Sequence, residues 1–570
     1  MSVPGMRRAA IGLAALAVTA LSTVAATPSQ AEPAGPPPVD VKLLALNDFH
    51  GNLEPPSGSS GTIAGQPAGG AEYLATQLAE LRKRAVEEEN AITVAAGDLI
   101  GASPLLSAAF HDEPTIESLS LAGLDYASVG NHEFDEGADE LLRIQNGGCH
   151  PVDGCADGTP YEGADFQYLS ANAFKTATGQ PLLAPYAIHK VQGVKVGFIG
   201  MTLEGTPQIV SQQGVAGLTF SDEAETANRY ARELRRQGVQ AIVILLHEGG
   251  TQDSTGGIND CTGFTGPIVD IANRMDPSID VIVSGHTHQA YNCNVNGKLV
   301  TSASSFGRLV TDIDLKIDRR TGDVLTATAE NVVVDRTVAK DPAQTELITR
   351  YKAVLGPVAT KVVGQTTEAI TRTQETLFGT ARGESPLGNM IADAQLAATD
   401  DEQGAVAAFM NPGGVRADLD AGPVTYEEAF TVQPFANNLV TLDLTGAQLY
   451  CLLEQQFVTG RTLYPSSTVG YVVDPAGTTG TTADACAGTR VVRGSLTLGG
   501  VAVDPAGTYR VTVNNFLSGG GDGFTVLKGG TNPVTGMIDL DAFVAYLTAK
   551  SPVSAPALDR IRTTAEVPAA

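Results

Sequence analysis

The sequence is short of positive charge. Its 570 residues include 36 Lys and Arg against 63 Asp and Glu, which gives a formal net charge of −27 at pH 7. No block of basic residues interrupts this imbalance, so no surface is expected to follow a phosphate backbone. The composition therefore argues against a nucleic-acid polymer as partner. An anionic substrate would need locally placed cations or metal ions, because the field of the whole chain repels it at long range.

Long hydrophobic runs are also scarce. The apolar run at residues 9–20 follows Arg7 and Arg8, and a small-x-small sequence typical of a cleavage site ends at Ala31. This run is short for a membrane span, no cysteine follows it to accept a lipid, and the C-terminus has no hydrophobic tail. Residues 1–31 are thus predicted to be a signal peptide, and the mature protein to be secreted or extracellular without stable membrane insertion. The arginine pair weakly resembles a twin-arginine signal, so the export route stays open.

Cysteine is a third scarce residue type, with six in the chain. In an exported protein cysteines are expected to pair, and six allow 15 pairings. A sequential pairing is favoured because the first four cysteines lie in the N-terminal part and the last two in the C-terminal part, with free buried thiols as the alternative. The sequential pairs are Cys149 with Cys155, Cys261 with Cys293, and Cys451 with Cys486.

Short β-branched apolar runs alternate with amphipathic stretches from residue 41 onward. Helices are expected near 70–88 and 221–236, the second with Ser221 as its N-cap. This alternation predicts a layered α/β domain. A proline-bounded helix is expected at 342–355, and a further helix near 387–399 precedes short strands and Gly/Pro turns. The apolar runs are residues 41–46, 91–96, 126–129, 194–199, 241–246 and 279–283.

Five of these runs end in polar residues able to bind a metal ion. Because ligands of an open α/β sheet lie at the carboxyl ends of strands, the five loops are expected to converge on one crevice. Each motif alone is weak, since Asp-x-His is usually a turn and a lone histidine is more often structural. Five of the eight histidines fall in these loops, and that joint occurrence favours a metal site. The loops are Asn47-Asp48-Phe49-His50-Gly51, Gly97-Asp98, Gly130-Asn131-His132-Glu133, His247-Glu248-Gly249 and Gly285-His286-Thr287-His288.

This series of motifs resembles the calcineurin-like dinuclear metallophosphoesterases. The wider N-D-F-H-G-N and G-N-H-E-F-D sequences, with the second domain, resemble the secreted 5'-nucleotidases, including bacterial periplasmic UDP-sugar hydrolases. The resemblance extends over residues 40–562. It implies an α/β fold with a layered metallophosphoesterase domain at 40–338, a linker helix at 339–360 and an α/β nucleotide-binding domain at 361–562.

The resemblance also implies two divalent metal ions, zinc, manganese or similar. Carboxylate, amide and imidazole ligands suit such ions, and a pair of ions activates a water for phosphoryl transfer. By the same resemblance, one ion is held by Asp48, His50 and His288, the other by Asn131, His247 and His286, with Asp98 between them.

Two further residues are implied as catalytic. His132 is adjacent to a ligand but does not bind metal in the family, and it would stabilise charge on the phosphoryl group or leaving oxygen. Asp135 would orient the His132 ring. The alternative for Asp135 is a charge at the N-terminus of the following helix.

Three C-terminal segments resemble the family's nucleotide-binding pattern: N-x-G-G-x-R at 411–416, Q-P-F at 433–435 and F-x-x-x-G-G-D-G at 516–523. Alone, each phenylalanine is more often a core residue and an arginine a solvated charge. The implied roles are a base sandwich by Phe435 and Phe516, ribose recognition by Asp522, a phosphate contact by Arg416, and a base or loop contact by Asn411. Arg382, near the start of this domain, is implied as another substrate-binding arginine.

The sequence therefore predicts a secreted 5'-nucleotidase-type metallophosphoesterase that hydrolyses nucleoside 5'-monophosphates by a two-metal-activated water. Nucleoside di- and triphosphates and UDP-sugars are further candidate substrates, and a small-molecule nucleotide is the expected partner. A 2',3'-cyclic-nucleotide 2'-phosphodiesterase with 3'-nucleotidase activity is the closest alternative, because it shares the metal motifs and domain plan. A catalytically silent nucleotide-binding cell-surface protein is the alternative from another class.

Overall fold

Two six-stranded sheets form the framework of the N-terminal part. The computed structural model describes residues 36–566 apart from 57, 211–213, 254, 378–379, 382 and 436. The predicted signal peptide at 1–31 therefore lies outside the described residues.

The first sheet is built around the strand Val39–Leu46, whose apolar run is buried on both faces, as expected for an interior strand. Four neighbouring strands of the sheet, beginning with Val39–Leu46, are mutually parallel. Leu309–Ile317 pairs antiparallel with both of its neighbours, Val39–Leu46 and Val324–Val333. In sheet order, the strands are Val324–Val333, Leu309–Ile317, Val39–Leu46, Ala91–Ala96, Tyr126–Ser128 and Gln167–Leu169.

The second sheet has a parallel centre of four strands between two antiparallel edges. Its strand Ala241–His247 is buried at every residue. In sheet order, the strands are Ala290–Val295, Lys298–Ala303, Val281–Ser284, Ala241–His247, Val194–Thr202 and Tyr186–Val191.

The two sheets pack face to face, and helices cover their outer faces. Leu43 and Val94 of the first sheet share one buried cluster with Phe198, Val243 and Val283 of the second. This is the layered α/β arrangement predicted from the sequence. The covering helices are Ala71–Arg82, Glu113–Leu121 and Ala138–Asn146 on the first sheet, and Glu223–Arg236 and Pro267–Arg274 on the second.

Two helices that cover the sheets differ from their predicted boundaries. The helix expected over 70–88 ends at Arg82, because residues 83–89 have no buried side chain to continue its apolar face. The helix expected from Ser221 begins at Glu223, and its N-cap is Asp222, whose side chain accepts a hydrogen bond from the Glu225 N–H. Both residue types favour an N-cap, so local propensity did not choose between them.

A helix follows Val324–Val333, the edge strand of the first sheet, where the linker helix was predicted. It spans Pro342–Ala359, four residues beyond the expected Leu355, and continues past Pro357. The Asp341 side chain caps it by accepting from two backbone N–H groups. The domain boundaries at 338, 360 and 562 stay a prediction.

The C-terminal part has a five-stranded mixed sheet and a smaller four-stranded sheet. The first contains Tyr464–Pro465, Ala407–Met410, Thr508–Asn514, Asn438–Thr445 and Thr531–Ile538, and the second Val501–Ala502, Thr497–Leu498, Val469–Val473 and Ile561–Thr563. The main helices of this part are Pro386–Ala397, Tyr426–Val432, Gly446–Thr459 and Asp539–Lys550.

Short elements occur in both parts of the chain. The short strands are Thr62–Ile63, Gln66–Pro67, Ala173–Lys175, Leu218–Phe220, Val362–Thr366, Thr376–Leu377, Thr380–Ala381 and Gly422–Thr425. The short α-helices are Leu105–Ala108, Thr206–Ile209, Asp400–Gln403 and Asn515–Ser518.

All six cysteines are paired as predicted: Cys149–Cys155, Cys261–Cys293 and Cys451–Cys486. Within the described ranges, none of the helices combines the length and apolar character needed to cross a bilayer.

Candidate dinuclear metal site and adjoining cavity

Seven polar side chains meet where parallel strands of both sheets end. Three strands of the first sheet and two of the second contribute the loops, so the cluster lies across the edge where the two sheets face each other. Five of the seven side chains are buried, and His286 and His288 are half-buried. They are Asp48, His50, Asp98, Asn131, His247, His286 and His288, the complete predicted ligand set.

The cluster divides into two groups of candidate ligands. One consists of Asp48, His50 and His288, and the other of Asp98, His247 and His286, with the ligand atoms of each group within 4.8 Å of one another. In the first group, His288 Nε2 lies 3.2 Å from both Asp48 Oδ1 and His50 Nε2. In the second group, His247 Nε2 lies 2.9 Å from Asp98 Oδ2.

Asp98 lies between the two groups. Its Oδ2 atom is 2.9 Å from His247 Nε2 and 3.7 Å from His50 Nε2. Although burial opposes ionisation, the surrounding imidazoles of His247 and His132 hold the pKa of Asp98 well below its usual value. A carboxylate that reaches both groups has the position required of a bridging ligand.

Backbone carbonyls orient two of the imidazole rings. His50 Nδ1 lies 2.8 Å from the Gly101 carbonyl oxygen, and His247 Nδ1 lies 2.8 Å from that of Ala96. A carbonyl oxygen only accepts, so each Nδ1 carries the proton and each Nε2 lone pair faces the cluster. Burial lowers the pKa of His50 to about 3 and that of His286 to about 4, which keeps both rings neutral, as metal ligands must be.

The cluster fits divalent metal ions. Asn131 Oδ1 is buried and has no hydrogen-bond partner in the described part of the chain, and the buried His247 Nε2, with its proton on Nδ1, faces the Asp98 carboxylate at 2.9 Å. Acceptor atoms are costly to bury in this way, and a cation among them would satisfy them. The donors are oxygen and nitrogen atoms without a thiolate, a set that suits zinc, manganese and similar ions.

The backbone at these loops is unusual. Five of the seven ligand residues, Asp48, His50, Asp98, His286 and His288, have φ between 47° and 69°, in the left-handed region that non-glycine residues seldom adopt. Strain of this kind is concentrated at functional sites, where the surrounding structure holds it in place. Gly130 permits the approach of two loops, because a Cβ atom there would lie 2.1 Å from Asp98 Oδ1.

Glu133 ties the loops together from beneath. Its carboxylate accepts backbone N–H groups from Asp98 at 3.0 Å and Leu99 at 2.8 Å, and also from Gly130 in the neighbouring loop. These contacts explain the place of Glu133 in the motif, because one carboxylate holds two ligand-bearing loops together.

His132 projects beside the cluster and is paired with Asp135. His132 Nδ1 lies 2.7 Å from Asp135 Oδ2, and the His132 backbone N–H donates to Asp98 Oδ1 at 2.9 Å. Burial lowers the pKa of His132, but the charges of Asp135 and Asp98 outweigh it and raise the pKa to about 9. Asp135 comes three residues before the helix Ala138–Asn146, and its carboxylate contacts the imidazole, so the geometry is compatible with the predicted orienting role.

A cavity of about 530 Å³ opens from the metal cluster toward the C-terminal part. Its lining includes Asn131, His132 and His286 on the metal side, and Phe435, Phe516 and Asp522 on the other. Arg416 also lines it, with its guanidinium carbon 5.6 Å from the centre of the Phe435 ring. The predicted substrate residue Arg382 lies outside the described residues.

Asp522 is held by a polar network at the far end of the cavity. Asn411 Nδ2 donates to Asp522 Oδ2 at 3.1 Å, and Asn514 Nδ2 donates to Asn411 Oδ1 at 2.9 Å. Arg461 Nη1 lies 2.7 Å from Asp522 Oδ1 and lines the same cavity. Sequence reasoning missed Arg461 and Asn514, because neither belongs to a local motif.

Phe516 lies over the glycine-rich turn that carries Asp522. A Cβ atom at Gly521 would come within 2.5 Å of the Phe516 ring, so only glycine allows the ring to occupy this position. The ring and the carboxylate are thereby held at the same end of the cavity.

Two protein-family models match the chain. The calcineurin-like phosphoesterase model matches residues 41–290, and the model of the 5'-nucleotidase C-terminal domain matches residues 362–529. The crystal structure of a 5'-nucleotidase precursor from Thermus thermophilus has 28% sequence identity and a TM-score of 0.73, over 92% of this chain and 99% of that one. The predicted fold class is confirmed.

The relatives include two proteins with more than 30% identity. The endonuclease YhcR of Bacillus subtilis is 35% identical over 89% of this chain, which spans only 40% of that protein. The cell wall protein Lmo0130 of Listeria monocytogenes is 32% identical over 89% of this chain and 67% of its own length. With both family models and this coverage, the chain belongs to the 5'-nucleotidase family of calcineurin-like metallophosphoesterases.

Proposed function

We propose that this protein hydrolyses nucleoside 5'-monophosphates. The observation that carries the proposal is that the same cavity is lined on one side by residues of the metal cluster and His132, and on the other by Phe435, Phe516 and the Asp522 carboxylate. A nucleotide has the matching polarity, with an anionic phosphate at one end and an aromatic base on a hydroxylated sugar at the other.

The phosphate end of the substrate belongs at the metal cluster. Two divalent ions bound by the seven ligands would supply activation of a water and neutralisation of the phosphoryl charge. Arg416 adds a permanent positive charge to the same cavity, which a chain with a net charge of −27 needs if it is to attract an anion.

His132 acts on the leaving oxygen in this proposal. Its Nδ1–H donates to Asp135, so the Nε2 atom is free to present a proton to the substrate. A nucleoside alkoxide is a poor leaving group, and a proton or hydrogen bond delivered at that oxygen lowers the barrier to its departure. The raised pKa of about 9 keeps the imidazole protonated at neutral pH.

The nucleoside end is recognised by the C-terminal part. Phe516 and Phe435 offer aromatic faces to the base, and Asp522 offers a carboxylate to the ribose hydroxyls. Burial raises the pKa of Asp522, but the Arg461 guanidinium at 2.7 Å favours the ionised, hydrogen-bond-accepting form.

A substrate panel tests the proposal. We expect kcat/KM for AMP to exceed that for 3'-AMP, 2',3'-cyclic AMP and UDP-glucose. Preference for the cyclic nucleotide and 3'-AMP would favour the alternative phosphodiesterase with 3'-nucleotidase activity. Single-stranded DNA belongs in the panel because one relative is named an endonuclease, and efficient cleavage of that polymer would contradict the proposal. An Asp98→Asn preparation controls for contaminating phosphatase.

The silent-protein alternative is tested by metal content. A module that only binds nucleotides has no need for two transition-metal ions, whereas the proposed enzyme requires them. Elemental analysis of the purified protein after exposure to manganese or zinc should show at least two ions per chain, together with AMP hydrolysis.

We also propose that the protein is exported. The proposal is supported by the signal-like residues 1–31 and by a relative named a cell wall protein. Mass spectrometry of the mature protein should find Glu32 at its N-terminus. A cytoplasmic protein that retains residues 1–31 would contradict this.

A further inference from the structure

A second group of potential metal ligands lies outside the cavity. It consists of His111, which precedes the helix Glu113–Leu121, and of His150 and Asp153 in the loop closed by the Cys149–Cys155 disulfide. Their ligand atoms lie within 4.8 Å of one another. His111 Nε2 is 3.0 Å and His150 Nδ1 is 3.3 Å from the same oxygen, Asp153 Oδ2.

These spacings match those of the dinuclear cluster. There, His247 and Asp98 are 2.9 Å apart and His288 and Asp48 are 3.2 Å apart. Ligand atoms that surround one ion at bonding distances of about 2 Å necessarily lie about 3 to 3.5 Å from one another. Both histidine–Asp153 pairs of the second group therefore have the spacing expected around one ion, and all three ligand atoms lie within 4.8 Å of one another.

Glu136 provides the outer partner that metal-binding histidines usually have. Its Oε2 atom lies 2.7 Å from His111 Nδ1, on the opposite side of the ring from Asp153. A carboxylate at Nδ1 fixes the proton there, leaves the Nε2 lone pair for an ion, and makes that nitrogen more basic. His50 and His247 use backbone carbonyls in the same way.

The two imidazole rings lie side by side. They stack with centroids 3.7 Å apart and an interplanar angle of 16°. The Asp153 backbone N–H lies 3.2 Å from His150 Nδ1 and donates to it, which identifies this nitrogen as an unprotonated acceptor, and an ion bound to its lone pair would replace that hydrogen bond. That lone pair also faces the Asp153 carboxylate, and a cation between them would relieve the repulsion.

We propose that His111, His150 and Asp153 form a separate mononuclear site for a zinc-type divalent ion. Two imidazole nitrogens and one carboxylate are ligands that zinc commonly takes, with water completing the coordination. The histidine side chains are 18% and 15% exposed and Asp153 is 59% exposed, so an ion can reach the site from solvent.

The site would link the disulfide loop to the catalytic region. Glu136, the partner of His111, is adjacent in sequence to Asp135, which holds His132. An ion at His111 would strengthen the His111–Glu136 contact and so restrict the turn that carries Asp135. This proposal does not depend on which phosphoester is the substrate.

The competing explanation is a network of ion pairs without metal. Glu136 raises the pKa of His111 to about 9, so a protonated His111 can pair with Glu136 and Asp153. The charge of nearby Glu140 is already neutralised by Arg143, which donates hydrogen bonds to the Glu140 carboxylate at 2.6 to 3.0 Å. An ion-pair network predicts no additional bound metal, which makes the two explanations separable.

The test is the zinc content of the full-length mature protein. After equilibration with Zn²⁺ and gel filtration, the His150→Ala variant should hold one ion per chain fewer than the wild type. Asp153→Asn keeps the shape of the side chain but removes its charge, and should lose the same ion. His189→Ala, a histidine on another strand that contacts Tyr126, is the matched control and should retain wild-type zinc.

A crystal of the wild-type protein soaked in Zn²⁺ locates the ion directly. An anomalous peak bounded by His111 Nε2, His150 Nδ1 and Asp153 supports the proposal. Equal zinc content in wild type and His150→Ala, or an absent peak at this position beside occupied dinuclear sites, would overturn it.

Discussion

The ring of Phe435 lies parallel to the imidazole of His132, with centroids 5.6 Å apart and an interplanar angle of 12°. His132 follows a strand of the first sheet, whereas Phe435 follows the helix Tyr426–Val432 of the C-terminal part. The contact places the proposed base platform against the proposed proton donor. Because one face of the Phe435 ring is turned to His132, changes at Phe435 are expected to affect both catalysis and base recognition. Phe516 therefore provides the cleaner test of base stacking.

Replacing His132 by Ala should lower kcat for AMP by on the order of 10² to 10⁴ while leaving metal content unchanged. The reason is that the imidazole faces the substrate cavity and is not one of the seven predicted ligands, although it lies close enough to His50 and Asp98 to share an ion with them. The measurement is kcat together with elemental analysis on the same preparation. Loss of metal in proportion to activity would instead identify His132 as a ligand.

Asp135→Asn should reproduce part of the His132 defect. An amide can still contact His132 Nδ1, but it removes the negative charge that stabilises the protonated ring, so we expect a smaller loss of kcat with little change in KM. If Asp135 acted only as a helix-terminal charge, the variant would lose thermal stability and keep its kcat.

Asp98→Asn should be among the most damaging changes in the cluster. The carboxylate reaches His247 and His50 and accepts the His132 backbone N–H, so its loss removes the group between the two ions. We expect loss of bound metal and of activity, as chelation of the wild type should also produce. Asp125→Asn, a carboxylate that accepts from the Thr93 N–H away from the site, is the matched control. Full activity in metal-free protein would contradict this mechanism.

Phe516→Ala should weaken nucleotide binding by about 1 to 3 kcal/mol, the scale of one base–aromatic contact. Hydrolysis of p-nitrophenyl phosphate should change much less, because that ester has no nucleoside. The ratio of kcat/KM for AMP to kcat/KM for the ester isolates the stacking contribution. Phe174→Ala, which removes a half-buried ring near Arg229, controls for general destabilisation. An equal loss on both substrates would assign Phe516 a structural role.

Asp280→Asn should become more stable relative to the wild type as pH rises from 5 to 8. Burial raises the pKa of Asp280 to about 7, and its Oδ2 accepts from the Ile242 N–H. An unfolded aspartate ionises near pH 4, so between about pH 4 and 7 the folded state holds the proton more tightly and loses stability as pH increases. Asparagine cannot ionise, and we expect a relative gain of about 1 to 3 kcal/mol.

The measurement is the melting temperature of both proteins at pH 5 and pH 8. Any metal loss at the lower pH affects wild type and variant alike, so their difference reports on residue 280. The exposed Asp401→Asn variant should show no such change. A difference that is constant with pH would contradict the assigned ionisation.

Much of the fold was predictable because the relevant patterns are local. The apolar runs near 41–46 and 241–246 became buried strands, and the helix after Pro342 formed where a proline and an Asp cap favoured it. Helix ends were less predictable. Ser221 and Asp222 have similar capping preferences, and the backbone conformation at Asp222 decided between them.

Local patterns are sufficient to predict the chemistry of the ligands, their positions after strands, the favoured cysteine pairs and the α/β class, because adjacent residues and short periodicities carry that information. The fold in three dimensions sets which loops meet: the Arg461–Asp522 pair, the Phe435–His132 contact, and the group of His111 with His150 and Asp153 join residues with no shared motif. Their distances depend on how the sheets and helices pack, since long-range packing, rather than local preference, sets the separation of side chains far apart in the chain.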